Sequence, residues 1–170
     1  VYKGASVMVL VKICGIKTLD EANAVCALDV DFIGLIFAKS KRRVDLNLAR
    51  QIAKFAHSKS KKIVGVFAEQ SECEIMEICE FVPLDVAQIY GEISKNLRAN
   101  LHDLGVEIWQ VFSVAGELPS ADFSGCDMPL FDCKGENLGG NGAKFNWEIL
   151  KGFKLKFALA GGIGEENILE

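Results

Sequence analysis

Short apolar runs and longer mixed runs alternate along the chain, and the alternation predicts its architecture. Val9-Leu10-Val11-Lys12-Ile13 is β-branched and short, which reads as a strand, closed by Cys14-Gly15. A helix is expected from about Thr18: its hydroxyl can cap the first turn, Glu21 completes a capping box, and Ala22, Val25 and Cys26 form one apolar face. The same rhythm recurs, with strands expected at 32–37, 63–67, 86–89, 107–112, 129–131 and 155–160 and helices at 46–56, 72–81 and 95–104. Almost wholly apolar strands that alternate with helices are parallel strands, because parallel pairing needs long crossovers that cover both faces of the sheet. The fold class is therefore α/β.

Seven such steps, with no Gly-x-Gly-x-x-Gly turn after the first strand, favour a closed barrel over an open dinucleotide-binding sheet. The expected fold is a (β/α)8 TIM barrel lacking the eighth βα unit, since the sequence runs to Glu170, in what should be the helix after strand seven. Seven strands alone would leave two exposed parallel edges. One barrel domain is expected over 8–170, with residues 1–7, ahead of Met8, read as an added leader or part of one.

Composition narrows the function classes. Half of the 170 residues are apolar, enough for one substantial core, and the net charge is a mild −4 with both signs interspersed. No nucleic-acid partner is expected from such a surface. Lys and Asp interrupt every apolar stretch before the ~20 residues that span a bilayer, so no membrane association is expected either. Cysteines at 14, 26, 73, 79, 126 and 133 follow no secretory leader and no tight spacing, and read as reduced thiols of a cytoplasmic protein. The nearest two are six apart and the histidines are His57 and His102, so no metal site and no cofactor are expected.

In barrels the active site lies at the carboxyl ends of the strands. The polar residues there are Cys14 after strand one, Lys39, Lys41, Arg42 and Arg43 after strand two, Glu69 after strand three, Asp132 after strand six and Gly161-Gly162 after strand seven. Each has an ordinary reading: a small buried thiol, a solvated basic loop, a turn-forming aspartate, a tight glycine turn. Gly161-Gly162, with Gly164 ahead of a helix start at Glu165-Glu166-Asn167, also lets backbone N–H groups approach an anion with no side chain in the way.

The motifs sharpen this choice. Lys12-Ile13-Cys14-Gly15-Ile16 is followed, in order, by Gly34-Leu35-Ile36-Phe37 with Lys39-Ser40-Lys41-Arg42, Val64-Gly65-Val66-Phe67, Phe131-Asp132, Gly139-Gly140-Asn141-Gly142 with Phe145-Asn146-Trp147, and Ala160-Gly161-Gly162-Ile163. Distributed over nearly the whole chain, these resemble the phosphoribosylanthranilate isomerase family of tryptophan biosynthesis. The resemblance implies an Amadori rearrangement of N-(5-phosphoribosyl)anthranilate, with Cys14 matching the family's base, Asp132 its acid and Arg42 the arginine that grips the anthranilate carboxylate, while Gly161-Gly162 suits the phosphate. The implied partner is a small phosphorylated substrate, and monomer and homodimer both stay open.

The chemistry agrees with these residue types. A thiol takes a carbon-bound proton only as thiolate, which cationic neighbours favour. An aspartic acid must instead keep its proton near neutral pH, which requires desolvation or a nearby negative charge. One departure from the family is Gln88-Ile89-Tyr90-Gly91, where relatives usually have Gln-Leu-His-Gly; Tyr90 could form a polar wall against the aromatic substrate. His57 and His102 fall in helical stretches and read as surface or packing residues. The Gly- and Asn-rich stretch 133–144 reads as a lid over the substrate or as a disordered loop. The alternatives are a phosphosugar epimerase or indole-glycerol-phosphate synthase relative, which would look for other catalytic side chains, and an incomplete barrel that binds phosphorylated ligands without catalysis.

Overall fold

β1 (Lys12–Cys14), β2 (Phe32–Ile36), β3 (Lys62–Phe67), β4 (Val86–Tyr90), β5 (Glu107–Val114), β6 (Met128–Cys133) and β7 (Ala158–Leu159) lie parallel, in chain order, in one sheet. The structure, a computed structural model, describes residues 9–135, 142 and 144–168. The first four crossovers carry α1 (Leu19–Cys26), α2 (Leu46–Ser58), α3 (Glu72–Phe81) and α4 (Lys95–Asp103). Their starts follow from sequence. Thr18 with Glu21 and Ser71 with Glu74 form capping boxes, and the side chains of Asp45 and Ser94 accept from the first-turn N–H groups of α2 and α4.

After β5 and β6 the α-helices give way to 3₁₀ turns at Phe123–Gly125 and Trp147–Leu150. Gly116, Pro119 and Gly125 punctuate the first of these connections, and neither holds an apolar stripe long enough for an amphipathic helix. β7 is two residues long rather than the expected 155–160, because only Ala158 and Leu159 find partners, Leu130 and Phe131 of β6. The stretch read as a lid lies largely outside the described residues.

The sheet is curled, as contacts between distant strands show. Phe32 of β2 and Trp109 of β5 meet with ring centroids 5.0 Å apart. In a flat sheet three strand spacings would separate them by about 14 Å. Phe32, Val64, Val86, Trp109, Val111 and Leu130 fill the inside of the curl, and a second interior group, Ile36, Ala38 and Val66, lies above them beside Cys14 and Tyr90. The outward positions, among them Ile33, Leu35, Ile63, Phe67, Ala87 and Ile108, pack beneath the helices. This is the α/β barrel architecture expected, with seven strands among the described residues. No helix among them is long and apolar enough to cross a membrane.

At the amino-terminal ends of the strands one device recurs. Asp31, Asp85 and Asp127 each precede an even-numbered strand, and each accepts the N–H of Val11, Ile63 or Ile108 at 2.7 Å, at the start of the odd-numbered strand before it. Two of the three also hold a histidine from a helix C-terminus, His57 on Asp85 at 2.8 Å and His102 on Asp127 at 2.9 Å. A cavity of about 640 Å³ beside Asp127, Pro129 and Leu155 belongs to this end, opposite the strand mouths.

Candidate active site

Side chains alternate across a strand, so Lys12 and Cys14 share one face of β1, and Gln88 and Tyr90 one face of β4. Both pairs face the inside of the curl. The Lys12 ammonium donates to the side-chain oxygen of Gln88, across a gap that skips two strands. Tyr90 donates its hydroxyl to Asp132 Oδ2 at 2.9 Å, again between strands that are not neighbours. These two bonds draw Cys14, Asp132, Lys12, Gln88 and Tyr90 to one end of the barrel interior.

The electrostatics bind the group further. Burial pushes the Lys12 ammonium below the usual lysine range, and electrostatic interaction with Cys14 and Asp132 acts against that fall. Lys12 thereby interacts electrostatically with both groups. Burial first, then the charge of Asp132, raises the Tyr90 phenol well above its ordinary range, which keeps its O–H a donor. Asp132 is 6% exposed and Gln88 4%.

Glycines make room for the functional side chains. Gly34 of β2 is in register with Cys14, and a Cβ there would lie 2.6 Å from Cys14 Sγ. Gly161, at φ +83°, leaves no space for a side chain: a Cβ would sit 2.5 Å from Asp132 Oδ1.

The loop after β2 separates its two arginines. Arg42 donates from Nη1 to the carbonyl of Cys14 at 3.0 Å, which sets its guanidinium at the barrel mouth. Arg43 pairs in the backbone with Ile36, and its charge acts on Glu74 of α3. Lys39 and Glu69 are joined to each other, the Lys39 N–H donating to the Glu69 carboxylate, while the Gln70 amide donates to the Phe37 carbonyl at 3.2 Å. Those contacts lock the β2 and β3 mouths together.

After β7, Asn167 organises the glycine loop. It is 6% exposed, accepts from the Gly164 N–H at 2.9 Å and donates to the Gly162 carbonyl at 2.8 Å. Gly164 and Asn167 thus behave as cap and third residue of a single turn, short of the helix expected there. Among the described residues no protein acceptor takes the N–H groups of Gly161, Gly162 or Ile163.

Lys12, Gln88 and Asn167 were not singled out by sequence reasoning, and Tyr90 only as a wall. The signal available for Lys12 and Gln88 was a polar side chain two residues before the strand end, in an otherwise apolar interior face. Asn167 offered none beyond its place in a presumed first turn. Among the described residues, no group of three or more His, Cys, Asp or Glu side chains converges as metal ligands do.

Residues 11–170 match the family described as N-(5'-phosphoribosyl)anthranilate (PRA) isomerase. The N-(5'-phosphoribosyl)anthranilate isomerase of Campylobacter jejuni is 42% identical over 161 residues, covering 95% of this chain and 81% of that protein. That of Caldanaerobacter subterraneus is 38% identical over 169 residues, covering 96% and 81%. Among solved structures, phosphoribosyl anthranilate isomerase from Thermus thermophilus superposes with a TM-score of 0.81 at 29% identity, over 95% of this chain and 80% of that one.

Proposed function

Because the chain belongs to the N-(5'-phosphoribosyl)anthranilate isomerase family, we propose that it converts N-(5'-phosphoribosyl)anthranilate to 1-(2-carboxyphenylamino)-1-deoxyribulose 5-phosphate with Asp132 as general acid and Cys14 as general base. Asp132 protonates the furanose ring oxygen, and the C1'–O bond breaks to give the ring-opened Schiff base. Cys14, as thiolate, removes the proton from C2', and the resulting enolamine tautomerises to the aminoketose. No net proton is gained or lost. Arg42 grips the anthranilate carboxylate through a planar guanidinium, as carboxylates are best held. The N–H groups of the Gly161-Gly162 loop receive the phosphate.

The observation that carries this reading is that Lys12, bonded to Gln88 inside the curl, shares the strand face of Cys14, and that Tyr90 on the face of Gln88 holds Asp132 at the same end of the interior. A base that must be anionic and an acid that must give up a proton are then stabilised by the same fixed cation in the step that each performs. Cys14→Ser and Asp132→Asn should each lower turnover by about 10²–10⁴-fold. Loss of anthranilate-type fluorescence as substrate is consumed measures this, with circular dichroism to show an intact fold. Near wild-type rates in both variants would remove these residues from the mechanism.

A further inference from the structure

We infer that Tyr90 is a positioning residue for Asp132: by donating its hydroxyl to one carboxyl oxygen, it makes the other the oxygen that carries and delivers the proton. The inference rests on the proposed role of Asp132 as acid. Tyr90 closes β4, and its ring packs against the interior group of Ile36, Ala38 and Val66. That packing aims the hydroxyl across the interior at Asp132 Oδ2, 2.9 Å away, from a strand that does not pair with β6.

A carboxylic acid holds one proton on one of two oxygens. With Oδ2 accepting from a phenol O–H, the proton belongs on Oδ1, the oxygen that faces the loop after β7, where Gly161 has no side chain to cover it. The bond has a second consequence. A phenol O–H also steadies the charge left on the carboxyl when the proton departs. The phenol can serve because it stays protonated itself, its ionisation opposed by burial and by the charge of Asp132.

Titratable groups facing Asp132 are Tyr90 from β4 and Lys12 and Cys14 from β1. Tyr90→Phe leaves Lys12 and Cys14 in place, so the variant isolates the hydrogen bond.

The test is a pH titration of the whole chain carrying ¹³C-labelled aspartate carboxyls, the Asp132 resonance being identified by its loss in Asp132→Asn. Tyr90→Phe should move the Asp132 midpoint upward, because a donor to the ionised carboxyl is lost. It should also lower kcat roughly tenfold with little change in KM, because the loss falls on proton delivery rather than on binding. An unchanged midpoint, or an unchanged kcat, overturns the inference. Full turnover in Asp132→Asn would instead overturn the proposed acid, whatever the titration shows, so the two failures are separable.

Discussion

Lys12 joins two consequences, one for activity and one for stability. Its ammonium lies inside the curl, facing Cys14 and Asp132 and bonded to Gln88. Lys12→Met should therefore lower turnover by about tenfold or more, as loss of a fixed charge in a catalytic site does. The effect on stability has the other sign. The folded-state pKa of this lysine lies below its ordinary value of 10.5, with desolvation the largest cause. The unfolded chain then holds the proton more firmly, so wild-type stability should rise as pH climbs through the folded value toward 10.5. Lys12→Met removes the group, and its urea midpoint should show less of that rise than wild type does as pH is raised from neutral to 10.5. A steeper rise in the variant would contradict the buried ammonium.

The βα units are tied together at the end of the barrel away from the chemistry. Asp85 takes the N–H of Ile63, a residue with no exposed surface, and Asp127 does the same for Ile108. Neither N–H has another acceptor once the carboxylate is gone, and a buried unpaired donor costs about 1–3 kcal/mol. Asp85→Ala and Asp127→Ala should each lose about that much in urea unfolding. The histidine arms of the same clusters matter less. The His57–Asp85 and His102–Asp127 pairs are about a third or more exposed on both partners, so solvent screens them. His57→Ala and His102→Ala should each cost under about 1 kcal/mol. Equal losses in the two sets would show that the ion pair, not the backbone acceptor, holds the strand starts.

Across the molecule, burial is uneven. Phe131, fully buried on the outer face of β6, is the centre of an aromatic cluster, with Phe123 at 5.7 Å, Phe153 at 5.2 Å and Phe157 at 5.9 Å between ring centroids. Among the described residues, that cluster rather than an α-helix covers this part of the sheet. Phe131→Ala should cost about 3–5 kcal/mol, the range for an aromatic removed from a packed core. Toward the outer strands the cover thins: Ile13 of β1 is 36% exposed and Phe157, just before β7, is 37% exposed. Ile13→Ala should cost less than half of the Phe131→Ala loss, because the side chain already meets water. Chemical unfolding of the two variants under one set of conditions decides the order.

The alternation of apolar runs, the capping pairs Thr18–Glu21 and Ser71–Glu74 and the strand-end positions of Cys14 and Asp132 are local properties, and all were legible in the amino-acid order. Strand parity also holds the information that Lys12 shares a face with Cys14, and Gln88 with Tyr90, though sequence reasoning did not draw it out. Which faces would meet was not legible. Lys12 reaches β4, Tyr90 reaches β6 and Phe32 reaches β5 because the sheet curls and its strands stagger, and that geometry is a property of all seven strands together. The choice between Arg42 and Arg43, and the hold of Asn167 on the glycine loop, depend in the same way on how a loop settles against distant strands. Periodicity specifies each segment and its inward face. Only closure of the curl brings an ammonium, a thiol, a phenol and a carboxyl from three strands to one place, since no spacing along the chain encodes a distance across it.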